Sequence, residues 1–162
     1  MRHQSRSYAL QALYQSEMLQ SKSMLHCDRF LEQLETSDVT KQFARELIEG
    51  TLRFRKQIDR SLRRNLDSWK LNRLSFVVRN ILRLAAFELC YHKQNSHQVV
   101  INEAIELCKD FVDDSSHGLV NSVLQKLHDE AQNPEKASSE GKKNSSTSVT
   151  PEDTQSLEET TG

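Results

Sequence analysis

Proline is absent from the first 130 residues of this chain, and glycine occurs there only at Gly50 and Gly118. Both residues disfavour helix interiors, proline by about 3 kcal/mol and glycine by about 1 kcal/mol relative to alanine. Their scarcity leaves long helices open and removes most of the turn signals that a strand-rich fold needs. Cysteine is scarce too. Cys27, Cys90 and Cys108 are odd in number and widely spaced, which argues against a disulfide framework and a zinc site and fits a reducing compartment. Each reads as a small buried hydrophobe. The longest apolar stretches, 84–87 among them, run to four residues, far short of the roughly 18 needed to cross a bilayer. The apolar middle of a secretory signal is also missing, and the chain reads as a mature cytoplasmic protein.

Charge is plentiful but unevenly placed. Between residues 53 and 83 there are ten Lys or Arg against Asp59 and Asp67, whereas residues 84–130 hold three basic and eight acidic side chains. The basic stretch is either a solvated helix face or an electrostatic footprint for a polyanion, with an acidic flank left for a basic partner. From residue 131 onward the chain is Ser, Thr, Glu and Lys, with Val149 and Leu157 as its sizeable apolar residues. Too little surface can be buried there to offset the entropy of ordering. The expected organisation is a helical domain over 1–130 and a disordered tail over 131–162.

Apolar periodicity fills that domain with helices. Ala9, Leu10, Leu13, Tyr14 and Met18 make one stripe, and Phe30, Leu31 and Leu34 a shorter one. Ser37 is a candidate cap for a long helix through Phe43, Leu47, Ile48, Leu52, Ile58 and Leu62, with Gly50 as its weak point. Ser75 leads into 76–91, where Val77, Val78, Ile81, Leu82, Leu84, Ala85 and Leu89 cover more than half the circumference, so this helix should be central. Further helices span 99–111 and the segment beginning near Leu119, behind the cap-like residues 113–116. The fold class is all-α, a compact bundle of six to seven helices. In the central helix Arg79 and Arg83 stack one turn apart beside Phe76 and Phe87. That cluster is either a recognition face, with guanidiniums gripping phosphate or carboxylate, or aromatic packing with the arginine stems alongside.

No catalytic constellation emerges. A Gly-rich phosphate loop, a nucleophile elbow and the H-E-x-x-H and C-x-x-C spacings are all missing. His92 and His97 have no companion ligands nearby, and Asp113 and Asp114 suit helix capping better than catalysis. A non-enzymatic protein without metal is expected.

Three blocks combine into a wider pattern: RSYALQALY at 6–14, LSFVVRNILRLAAFEL at 74–89, and VINEAIELCK at 100–109 continued by Ser116-His117 and VNSVL at 120–124. In this order and spacing the chain resembles the NusB family of transcription antitermination factors over residues 2–128. The resemblance implies an all-α RNA-binding protein without catalysis or cofactor. It would bind the single-stranded boxA element of ribosomal RNA leaders together with the ribosomal protein called NusE, and join RNA polymerase with other Nus factors. It places Arg2, Arg6, Lys109, Phe111, Ser116, His117 and Asn121 at or near the RNA surface, and Tyr14 and the region 72–79 near the RNA and NusE contacts. We take Asn72, Phe76, Val77, Val78 and Arg79 as the partner set. Arg83, from the central helix, and Ser115, from the cap before the last one, join the RNA set. Ser7, Val78, Ser115, Gly118 and Leu119 depart from the usual family residues, and they bear on binding strength more than on fold.

The physics of single-stranded RNA agrees with this pattern: rings stack on bases, and cations and helix N-termini hold phosphate. Two other readings stand beside it. One is a helical adaptor that binds protein only. The other is a stand-alone relative of the N-terminal domain of ribosomal RNA cytosine methyltransferases.

Overall fold

The computed structural model describes residues 2–66 and 68–135. Most of the expected tail, 136–162, lies outside them. Among the described residues there are eight α-helices and no strand: α1 (Arg2–Met18), α2 (Met24–Glu32), α3 (Asp38–Arg53), α4 (Arg55–Asn65), α5 (Ser68–Arg73), α6 (Phe76–Phe87), α7 (His97–Phe111) and α8 (His117–Gln132). A π-helical turn, Glu88–His92, extends α6, and a 3-10 turn, Asp114–Ser116, precedes α8. The last helix runs two residues past the expected boundary at 130.

Serine hydroxyls start the helices that the sequence marked. Ser37 Oγ accepts from the Thr40 amide at 3.2 Å, Ser75 Oγ from Val78 at 3.3 Å and Ser96 Oγ from Val99 at 3.4 Å. Each satisfies one of the amides that a helix N-terminus leaves open.

The long helix expected from Ser37 to Leu62 is two helices, and its break is not at Gly50. The chain stays helical through Gly50 and turns at Phe54, whose φ and ψ are −99° and 13°. Gly50 serves close approach: a Cβ built there would lie 2.0 Å from Phe87 Cζ. Phe54 stacks on Tyr91 with centroids 4.2 Å apart and planes 6° from parallel. The interruption therefore seats one ring, and the glycine admits another.

The helix α6 is the axis of the bundle, with residues 78–87 all buried. It packs against α1, α3, α4, α7 and α8. Fully buried Leu10, Leu47, Ile48, Ile58, Leu62, Leu71, Ile81 and Leu82 form much of the core around it. Each such side chain contributes about 1.5–3 kcal/mol of apolar burial. The α1 stripe is narrower than its periodicity suggested. Ala9, Leu10, Ala12 and Leu13 are buried, while Tyr14 and Met18 are exposed.

Candidate nucleic-acid interface

The first turn of α1 meets α3, α7 and the loop after the π-helical turn. Arg2 is exposed, and its guanidinium carbon lies 4.8 Å from the Phe43 ring centre. With its amide oxygen turned toward the guanidiniums, Asn95 accepts from Arg2 at 3.2 Å and from Arg6 at 3.3 Å. A ring below and an amide beside it hold the Arg2 guanidinium, and no carboxylate among the described residues pairs with it.

His3 connects this end of α1 to α7. Its Nδ1 is 2.7 Å from Glu103 and its Nε2 2.8 Å from Asp110. Burial pulls its pKa down, but the hydrogen bonds to Asp110 and Glu103 outweigh that and leave it raised above 6.5. The imidazolium thus offsets two acids beside the cationic helix end and ties the first turn of α1 to α7 at Glu103 and Asp110.

The 3-10 turn packs against α7 and α8. Asp113 Oδ1 accepts from the Ser115 amide at 3.1 Å and from the Ser115 hydroxyl. Ser116 and His117 are half-buried, and Asn121, one turn into α8, is exposed. His117 Nε2 is buried without a hydrogen-bond partner; Asp114 Oδ1, 3.6 Å away, is too distant to supply one. Lys109 is exposed and bonds Glu106 at 2.9 Å. Phe111 is 38% exposed. Arg2, Lys109, Phe111, Ser115, Ser116, His117 and Asn121 therefore all present some surface.

Arg6 does not. It is 3% exposed, and its Nε and Nη2 donate to Glu88 at 2.6 and 2.9 Å. Its guanidinium is engaged in an interior ion pair, which does not fit the expected direct RNA contact, and it shares Asn95 with Arg2.

Arg83 requires the larger correction. It is 5% exposed, donates to Asp59 at 2.8 and 3.0 Å, and reaches Glu17 at 3.2 Å. Phe87 is buried as well. The Arg–Phe cluster of α6 is thus not one exposed recognition face, because α1 and α4 bring acids onto the side that the helical wheel left polar. Only its N-terminal end emerges. Phe76 is 40% exposed, with Arg79 stacked 4.7 Å above its ring. Arg79 itself is largely buried and paired with Glu17 at 3.0 Å. Asn72 is exposed and Val77 half-buried, while Val78 is interior at 4% exposure. Val78 therefore leaves the partner set. Tyr14 lies three residues before Glu17 on α1, so it shares the Phe76–Arg79 side.

Sequence reasoning missed Glu17, Asp59 and Glu88, the acids that claim the arginines, together with His3, Phe43 and Asn95. Their partners are distant in the chain, and no local spacing announces them. His92 and His97 also separate. His92 packs near Phe43 and Phe87, whereas His97 stacks on His128 with centroids 3.9 Å apart. Among the described residues no group of three or more His, Cys, Asp or Glu could hold a metal ion. None of their helices is long and apolar enough to cross a membrane.

These features define an all-α bundle with exposed cationic and polar residues at helix ends and an exposed aromatic at the start of α6. Its relatives specify the kind. The family model described as the NusB family matches residues 3–129. The transcription antitermination protein NusB of Bacillus cereus strain B4264 is 37% identical over 131 residues, covering 79% of this chain and 97% of that protein. Its counterpart in Lysinibacillus sphaericus strain C3-41 is 39% identical over 129 residues, with 78% and 95% covered. Among solved structures, T. maritima NusB superposes with a TM-score of 0.75 at 34% identity, covering 84% of this chain and 96% of that one. A structure described as antitermination factors NusB and NusE in complex with dsRNA gives a TM-score of 0.71 at 25% identity, with 79% and 96% covered. The chain belongs to the NusB family.

Proposed function

We propose that this protein is a bacterial transcription antitermination factor that binds single-stranded boxA-type RNA jointly with NusE and thereby joins RNA polymerase and the other Nus factors. The observation that carries this reading is the exposed Arg2 at the first turn of α1, which the His3 bridge to Glu103 and Asp110 ties to α7, the helix that also carries exposed Lys109 and Phe111. A free guanidinium, a half-exposed ring and the polar start of a helix are the groups that hold phosphate and stack on unpaired bases. The exposed Phe76, with Asn72 and Val77 beside it, is the NusE-facing patch. The solved relative described with both NusE and RNA supports a two-partner arrangement. A factor acting on nascent RNA works in the cytoplasm, and the role requires neither catalysis nor a cofactor.

The test is fluorescence anisotropy with a boxA-length RNA and its scrambled counterpart, with and without NusE. The expected result is a preference for boxA that NusE strengthens and salt weakens, with a log–log slope of about −0.7 per neutralised phosphate. Arg2→Ala should weaken RNA binding roughly tenfold, with NusE affinity kept. Phe76→Ala should weaken NusE at least as much as RNA. Equal binding of boxA and scrambled RNA at low salt, in the presence of NusE, would overturn the reading in favour of a protein-only adaptor.

A further inference from the structure

The basic stretch between residues 53 and 83 is divided by the fold. Arg79 and Arg83 turn inward to acids, and on α4 Arg55 lies by Glu17 and Asp59 and Arg64 pairs with Glu130, but the other α4 cations do not. At the end of α3 and along α4, with Lys22 from the segment after α1, the chain forms an open groove of about 970 Å³. Lys22, Arg53, Lys56, Arg60 and Arg63 line it, all exposed, and none has a carboxylate partner among the described residues. Asp59 is the one acid in the lining, and Arg83 already occupies it.

This arrangement works against the stability of α4. Lys56 and Arg60 are like charges one turn apart, as are Arg60 and Arg63. Arg55 and Lys56 occupy the first turn, where the helix dipole disfavours cations, and no side chain caps that end. Arg55, at the same helix start, is partly buried between the groove and the inward arginines. Its pKa is lowered by burial and by Arg83 and Arg79, against the pull of Asp59 and Glu17. Beside the groove, Arg53 lies over Phe54, and Phe54 stacks on Tyr91, whose ring is 41% exposed. Forked cations in a row with an aromatic at the edge suit a phosphate-backed strand carrying bases better than an acidic polypeptide.

We infer that the α3–α4 groove is a second RNA-binding surface, independent of sequence, that holds the sugar–phosphate backbone of RNA flanking the specific element. Lys56, Arg60 and Arg63 succeed one another along one face at about one turn, roughly 5 Å of rise each, so they can engage successive phosphates. This surface extends the proposed function without resting on boxA recognition.

The experiment uses the full-length chain and a labelled 20-nucleotide oligouridylate, which lacks any boxA sequence. The triple variant Lys56→Gln, Arg60→Gln, Arg63→Gln should bind it roughly tenfold more weakly at low salt and flatten the log–log salt slope by about 2, three phosphates at 0.7 each. The same variant should bind a boxA-length RNA plus NusE as the unmodified protein does. Unchanged affinity and slope on the oligouridylate would overturn the inference. So would displacement of the oligouridylate by polyglutamate as readily as by unlabelled RNA, which would assign the groove to an acidic polypeptide. Should the triple variant melt early, Arg60→Gln alone must lower the slope by about 0.7 and Arg60→Lys must not; any other outcome for that pair counts against the groove. Loss of boxA preference with the oligouridylate effect intact would strike the proposed function and leave this surface standing.

Discussion

Arg6 and Glu88, 82 residues apart in sequence, form a two-pronged ion pair with both side chains essentially sealed from water. Arg6 Nη1 also lies 3.5 Å from Glu103, which links the pair to the His3 bridge. Removing one member of a buried pair strands the other as an uncompensated charge, at a cost of about 3–5 kcal/mol, whereas replacing both by apolar residues of similar volume is often neutral. Arg6→Ala should therefore lower unfolding free energy by about 3–5 kcal/mol in urea titrations, and Arg6→Met with Glu88→Leu should recover most of it. If Arg6→Ala left stability unchanged, the interior pair would not be holding α1 to the π-helical turn that follows α6. RNA loss in that variant follows from misplacement of Arg2, since Arg6 offers no surface of its own.

Gly50→Ala sets two effects against each other. Alanine gains about 1 kcal/mol in helix propensity, but its Cβ would sit 2.0, 2.3 and 2.7 Å from three atoms of the Phe87 ring. That ring is buried and lies within a stack with Phe54 and Tyr91, so it has little room to retreat. Overpacking of this kind costs about 1–3 kcal/mol, occasionally more, and the clash should win. The expected net loss of about 1–2 kcal/mol should shrink when Phe87→Leu is added, and a double-mutant cycle on chemical unfolding reads that coupling. A stabilised Gly50→Ala would refute the close packing.

The His3 bridge makes part of the stability depend on pH. Because the native pKa is raised above the 6.5 of the free side chain, the contribution is fully present below about pH 6.5 and is lost as pH rises through the native value. The melting-temperature gap between the unmodified protein and His3→Gln should therefore be largest near pH 5.5 and close toward pH 8.5. A gap independent of pH would mean that the ring does not bridge Glu103 and Asp110 as a cation. Deprotonation also leaves those two acids uncompensated near Arg2, so RNA affinity should fall over the same interval.

Much of the fold was legible because helix periodicity and capping are local. Ser37 and Ser75 act through amides three residues away, and the near-complete apolar coverage of α6 reports its central place without knowledge of its neighbours. The exposure of charged residues was not legible in the same way. A helical wheel puts Arg83 and Arg6 outside the apolar arc, but it cannot show that α4 supplies Asp59 or that the π-helical turn supplies Glu88. The break at Phe54 was hidden for a related reason. Gly50 carries the weaker helix propensity, yet it is held helical by a ring 37 positions later in the sequence, while Phe54, a tolerable helix residue, leaves the helix near Tyr91. Of the candidate site, Arg2 and Asn121, named through the family resemblance, and Phe76 are exposed in the structure, whereas the ion pairs that withdraw Arg6, Arg79 and Arg83 required three dimensions.

The uninterrupted course of α1 has a geometric consequence. Arg2 opens this helix and Lys22 follows its end, so 17 helical residues, about 25 Å at 1.5 Å each, separate the specific surface from the α3–α4 groove. A strand engaging both proposed surfaces must be long enough to bridge that gap, so α1 would act as a ruler that favours transcripts continuing past the recognised element over short fragments carrying the same bases.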